Sequence, residues 1–220
     1  MSDAHRHDWE ERYRRSATAA HPSPFVVTAL DLLARREAPT MAGRRYPTVE
    51  PRRALDVACG AGRHALLLAA RGYRVVALDF ARPALAALRA RAADMRVDRS
   101  IDVVAADATC WALRPASFDA VVVVDFLDRP LLPTLRAAVA PGGALVMETF
   151  MVGQERHGHP RNPAYLLQPG ELRDACGGWT VVLAHEGEST AGAPACRAGI
   201  VAVRPRDVDS TGRFGSYPRR

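Results

Sequence analysis

Asp56-Val57-Ala58-Cys59-Gly60-Ala61-Gly62-Arg63-His64 sets a carboxylate shortly before two closely spaced glycines, where an apolar run gives way to a helix-forming stretch. Glycines at such a junction let a ligand approach the backbone, and the helix start beyond them offers unpaired N–H donors. Asp79 ends the next apolar run and Asp107 follows the third. Gly60-Ala61-Gly62-Arg63-His64-Ala65 also fits the loose G-x-G-x-x-G/A dinucleotide pattern, with Asp79 as the ribose acid. The other two acids discriminate. A carboxylate beside two phosphates is repelled, whereas one beside a sulfonium and an α-amino group is attracted, most strongly where water is excluded. Acids at three successive run ends therefore suit S-adenosylmethionine better than a pyrophosphate cofactor. The plainer readings are strand-end acids for Asp56, Asp79 and Asp107 and a tight turn for Gly60 and Gly62.

Other chemistry has less support. His5-x-His7 and His157-x-His159 have metal-like spacing but no accompanying ligand cluster, so no metal is expected. Cys59, Cys110, Cys176 and Cys196 form no C-x-x-C pair, which points to reduced thiols and a cytoplasmic setting; Cys59 and Cys110 read as small hydrophobes. No Gly-x-Ser-x-Gly elbow supports hydrolysis. Trp9 and Tyr13, four apart on one helical face, either close over a ligand or pack a cap helix against the core.

The elements that must position these residues alternate. Helices are expected over Asp8–Ala20 and Pro24–Arg36, with Ser23 as N-cap and Pro24 in the first helical position. The breaker-rich stretch Glu37–Arg53 reads as a connection. Apolar runs Ala54–Cys59, Arg74–Leu78, Ile101–Ala105, Ala120–Val124 and Ala144–Thr149 are interleaved with helical stretches Arg63–Arg71, Arg82–Ala93 and Leu131–Val139. Pro141-Gly142-Gly143 marks a turn, Met151–Pro169 is irregular, Glu171–Cys176 is helical, and runs Thr180–His185 and Gly199–Val203 resemble a closing hairpin. Short β-branched runs separated by helices predict a parallel sheet, whose ligand lies beyond the carboxyl ends of its strands.

On these residues the sequence resembles the class I S-adenosylmethionine-dependent methyltransferases, whose first motif reads acid, apolar, Gly, x, Gly, x, Gly. Here it is DVACGAG, with Ala58 in place of the first glycine. The likeness runs from about Arg53 to Arg204 and includes FDAVVVVDFL and PGGALVMETF, which look like the family's fourth strand and the turn into its fifth. CGAGRHALLLAARGYRVVALDFA resembles the small tellurite-resistance-type enzymes, and Trp9-Glu10-Glu11-Arg12-Tyr13 resembles their N-terminal segment. The resemblance implies an α/β fold: a doubly wound, seven-stranded, mostly parallel sheet ending in an antiparallel hairpin. It implies a cofactor set of Asp56, Ala58, Gly60, Gly62, Asp79, Phe80, Asp107, Ala108 and Asp125. Asp56 and the glycine loop would hold the methionine part, Asp79 the ribose hydroxyls, and Asp107 with the Ala108 backbone the adenine edge.

Methyl transfer is an in-line displacement at a carbon already bonded to a charged leaving group, so alignment and desolvation of the nucleophile carry most of the work and a base is optional. Asp125 and Asp128 follow the fourth run, Glu148 ends the fifth, and Gly153–Leu172 adds Glu155, His157, His159, Asn162 and Tyr165. Asp125 is the catalytic candidate, since the fourth strand's tip faces the methyl group in this architecture; a structural loop acid is the alternative. Arg129 would bind a substrate carboxylate or pair with Asp125 or Asp128, and pairing is the favoured reading.

The 220 residues predict a single domain: an N-terminal helical cap and linker over 1–50, a core over 53–204 and a tail over 205–220. All 30 basic residues are arginine, against 24 acids, a formal charge of +6. The excess is scattered, without a stripe of interleaved aromatics, so a nucleic-acid partner is not favoured. No apolar run approaches a membrane span. Asp125-Phe126-Leu127-Asp128 stands where nucleic-acid amino-methyltransferases carry Asn-Pro-Pro-Tyr. The expectation is a methyltransferase acting on a small-molecule acceptor, its oligomeric state open. The alternatives are an RNA or protein methyltransferase, a non-catalytic S-adenosylmethionine-binding domain and a nicotinamide oxidoreductase.

Overall fold

The computed structural model describes Glu11, Tyr13 and residues 21–37, 51–189 and 194–206. Helix α1 (Pro24–Glu37) leads into strand β1 (Arg53–Val57), α2 (Arg63–Ala70), β2 (Arg74–Asp79), α3 (Arg82–Asp94), β3 (Ile101–Ala105) and β4 (Phe118–Val124). Helix α4 (Leu132–Ala138), β5 (Val139–Phe150), the short α5 (Glu171–Ala175), β6 (Thr180–Ser189) and β7 (Ala195–Val203) complete the order. The seven strands lie in the order β3-β2-β1-β4-β5-β7-β6. The first five pair in parallel, whereas β7 runs antiparallel to both β5 and β6. The parallel strands and final hairpin are those the alternation of runs and helices predicts, and the doubly wound order is the one the resemblance implies.

Strand periodicity divides the core into two. Ala54, Val75, Ala77, Ala120, Val122 and Val146 face α1, α2 and α3, where Leu30, Leu33, Leu66, Leu85 and Leu88 meet them. Leu55, Val57, Leu78, Val121, Val123, Leu145 and Met147 face α4 and α5, where Leu135 and Leu172 pack. With helices on both faces, the β1–β4 strands read as continuous apolar runs rather than alternating ones. The order reverses between β1 and β4, so the crevice for a ligand opens at their carboxyl ends.

Beyond shifts of one or two residues, three strands differ from the sequence reading. Strand β5 begins at Val139 and takes in the Pro141-Gly142-Gly143 turn, because Gly142 N–H donates to Arg204 O and Arg204 N–H to Gly143 O, so the ladder outlasts the β-branched run. Strands β6 and β7 extend to Ser189 and from Ala195, since hairpin pairing carries polar positions that apolar patterning passes over. Of the helix expected over Asp8–Ala20, only Glu11 and Tyr13 are described, both helical; Trp9, residues 38–50 and the tail from 207 lie outside the described residues.

Candidate active site

The glycine loop connects β1 to α2. Ala58 sits at φ 53° and Gly60 at φ 53°, both left-handed, and Gly62 at φ 79° forms the N-cap of α2. The loop is fixed by Cys59 N–H to Leu78 O at 3.0 Å, Gly62 N–H to Cys59 O at 2.9 Å, and Arg91 of α3 donating to Ala61 O at 3.0 Å. A side chain at Gly62 would collide with Leu88 of α3, so this glycine serves packing as well as the turn. A side chain at Gly60 would collide with the Tyr13 hydroxyl, which therefore lies directly over the loop.

Asp56 is 1% exposed, and one of its carboxylate oxygens has no hydrogen-bond partner. Burial pushes its carboxyl up to about 7, against the Ala65 N–H and the Arg63 charge, which favour ionisation. Asp79 is also buried, but both of its oxygens are held: Gly60 N–H donates to one and Ala81 N–H to the other, each at 2.8 Å. Burial raises its carboxyl above the usual range despite those N–H groups. Asp79 thus ties the β1 loop to the β2 loop. Phe80 and Ala108 flank this crevice in sequence, half-buried and buried respectively. Asp107 folds into a local turn, accepting from the Thr109 N–H at 3.0 Å and its hydroxyl at 2.7 Å.

Asp125, at the tip of β4, is left-handed at φ 58° and lies between two guanidinium groups. Arg63 donates to one oxygen at 2.6 Å and Arg197 contacts the other. Arg197 also stacks over Phe150 with its guanidinium carbon 4.5 Å from the ring centre and reaches within 3.6 Å of Glu148. Glu148 is 6% exposed; it accepts from Ser23 Oγ at 2.5 Å and lies 3.3 Å from His185 Nε2. Burial works against its ionisation, but His185, Ser23 and Arg197 together bring its carboxyl below the ordinary range. Ser23 further donates its backbone N–H to His64 Nε2 at 3.1 Å, and burial beside Arg63 lowers the His64 imidazole to about 4, leaving it a neutral acceptor. One polar chain therefore runs from α1 through β5 and β7 to the tip of β4. The sequence reading did not include Arg63, His64, His185 and Arg197; only the position of Arg63 and His64 at the end of the glycine motif hinted at two of them.

Arg129 does not pair with Asp125 or Asp128 as expected. It grips Glu171 through Nε at 2.6 Å and a second nitrogen at 2.8 Å, and donates to Ala164 O and Leu166 O at 2.9 Å each. Asp128 instead accepts from Leu131 N–H at 3.0 Å, closing a turn. Arg129 thereby fastens the 163–171 segment beside β4. Within that irregular stretch Glu155 accepts from Gly153 N–H, Asn162 from Ala164 N–H, and His157 lies 3.4 Å from Glu188. Among the described residues no group of three His, Cys, Asp or Glu could hold a metal ion, and no helix is long and apolar enough to cross a membrane.

Residues 54–143 match a family model described as a methyltransferase domain. No curated protein matches by sequence. Among solved structures, TehB from Haemophilus influenzae superposes with a TM-score of 0.65 at 17% identity, over 87% of this chain and 65% of that one, so the chain spans just under two thirds of its length. A structure titled for conversion of a disulfide bond into a thioacetal group during echinomycin biosynthesis gives 0.61 at 20% identity, over 94% and 95% of the two chains. Magnesium protoporphyrin IX methyltransferase from Synechocystis PCC 6803, with S-adenosylmethionine bound, gives 0.56 at 16% identity, over 82% and 77%. At these identities the likeness is one of fold.

Proposed function

We propose that the chain, whose residues 54–143 match a methyltransferase domain, is an S-adenosylmethionine-dependent methyltransferase and that its acceptor is a small molecule. The observation that carries the site reading is the orphaned, buried oxygen of Asp56 beside the glycine loop. A buried carboxylate without a partner is costly, and a cation delivered to that spot relieves the cost. When bound, S-adenosylmethionine supplies a methyl group on a positively charged sulfur, together with an ammonium group. In this reading Asp56 and the Gly60–Gly62 backbone, with Ala58 setting the turn, hold the methionine part. Asp79 accepts the ribose hydroxyls with the lone pairs its two backbone donors leave over. Phe80 lies against the nucleoside, and Asp107 with Ala108 takes the adenine edge. Asp125 would reach the methyl group as a base only by leaving Arg63 or Arg197, so we assign it to aligning those two arginines beside the transferred group.

The small-molecule reading draws on where the arginines stand. Arg63, Arg129 and Arg197 are each tied to carboxylates around the site instead of forming an open basic face. Release of S-adenosylhomocysteine, compared between a metabolite extract and total RNA, tests it. Turnover with the extract and none with RNA is expected; salt-sensitive turnover with RNA alone would overturn the acceptor class.

A further inference from the structure

Glu148, Gly199 and His185 form one row across three strands, β5, β7 and β6. The central residue of that row has no side chain, and this is what brings its two ends together. A Cβ at Gly199 would fall 2.6 Å from His185 Nε2 and 3.0 Å from Phe25 Cζ. The imidazole therefore lies flat across β7, its Nε2 buried and 3.3 Å from Glu148 Oε1, near enough for charge pairing but off-line for a full hydrogen bond. Phe25 of α1 closes over it edge-on, with ring centres 4.9 Å apart at 63°. The side chain is nevertheless 37% exposed, and no described residue hydrogen-bonds its Nδ1. Glu148 is steadied from the far side by the Ser23 hydroxyl, and Arg197 links it to Asp125 at the tip of β4. The charged and titratable groups facing this pair are Arg197 from β7 and, through Ser23, the neutral His64 from α2; α1 contributes Phe25 and Ser23.

We infer that His185 is the base that takes the proton from the acceptor's nucleophilic atom, positioned by Glu148, and that the acceptor accordingly carries a hydroxyl or thiol. The inference rests on the small-molecule reading above and deepens it. A carboxylate behind one imidazole nitrogen orients the ring and stabilises the imidazolium formed when the other nitrogen accepts a proton. In the step, the acceptor's O–H or S–H bond breaks and its proton passes to His185 Nδ1. The freed electron pair forms the new bond to the methyl carbon, while the carbon–sulfur bond of the donor breaks with its pair remaining on sulfur, leaving a neutral thioether. The imidazolium then returns its proton to solvent. Contacts of this kind are often long before substrate binds and shorten in the reacting complex.

Two phenols separate the base from mere structure. 4-Methylphenol keeps its proton at neutral pH, whereas about half of 4-nitrophenol is already ionised there. Wild-type enzyme should methylate both. His185→Gln should lose roughly 100-fold or more on 4-methylphenol, the range of general-base effects, while staying within a few-fold on 4-nitrophenol. Gly199→Ala, which crowds Nε2, should follow the same pattern. Glu148→Gln should show the same selective loss on 4-methylphenol, and, independently of turnover, calorimetry should show His185→Gln binding S-adenosylmethionine as tightly as wild type. Equal losses on both phenols in either variant, lost S-adenosylmethionine binding in His185→Gln alone, or a wild type that binds S-adenosylmethionine yet methylates neither phenol would each overturn the inference and leave the cofactor reading standing. Failure to bind S-adenosylmethionine would instead remove the reading on which it rests.

Discussion

Ala58 shows how a single residue records the demand of its site. Its φ of 53° is the conformation a glycine adopts freely, and a Cβ there costs roughly 1 kcal/mol through its clash with the backbone. Ala58→Gly should therefore leave the loop unchanged and stabilise the protein by up to about 0.5 kcal/mol, the strain relieved being largely offset by a freer unfolded chain. Urea unfolding measures this; a destabilised variant would mean that the Ala58 methyl packs productively. Asp125 occupies the same region at φ 58° at less cost, because aspartate tolerates it better than most residues. At this scale the sequence made Asp56 and Asp79 legible through their place at the ends of apolar runs. It could not reveal that both oxygens of Asp125 belong to Arg63 and Arg197, since those partners lie 62 and 72 positions away.

Among the elements, α1 is anchored through the site itself. Ser23 caps it as its sequence position predicts, accepting from Phe25 N–H at 3.2 Å, and the same hydroxyl donates to Glu148. Its backbone N–H meets His64, a contact available only to a neutral imidazole. The folded imidazole binds protons less tightly than an unfolded one, with its titration lowered to about 4 from an ordinary value near 6.5. Between those two pH values the unfolded chain holds the extra proton, so stability falls as the solution is acidified through that window, by at most about 3 kcal/mol. His64→Gln should flatten that fall, whereas Ser23→Ala should cost about 1–2 kcal/mol and leave the slope in place. Denaturant midpoints at pH 7, 6 and 5 distinguish the two; an equal slope in wild type and His64→Gln would remove His64 from the account. The β-branched runs identified β1 to β4 to within two residues at each end. The Glu148–Gly199–His185 row stayed hidden because it depends on which strands become neighbours, and β7 inserts between β5 and β6 against chain order.

Across the whole molecule, the reversal of strand order between β1 and β4 collects Asp56, Asp79 and Asp125 at one end of the sheet, and the β5-β7-β6 extension adds Glu148, Arg197 and His185 to it. The parallel pairing of β1 to β5 was legible from alternation, and with it the end of the sheet that carries chemistry; the order of the last strands was not. The pairing of charges there was not, because it is settled by side chains meeting from separate elements. The account turns on Asp56. Burial pushes its carboxyl up to about 7 despite the Arg63 charge nearby, and a sulfonium with an ammonium group binds the ionised form better. The most direct test is calorimetric titration with S-adenosylmethionine from pH 6 to pH 8, on wild type and on Asp56→Asn. Between pH 6 and pH 7, before the ligand's own ammonium group begins to lose its proton, affinity should strengthen with rising pH in wild type, approaching tenfold per unit, and should be weaker and lack that rise in the variant. Equal, pH-independent affinities in the two proteins, or binding of reduced nicotinamide dinucleotide in place of S-adenosylmethionine, would contradict it.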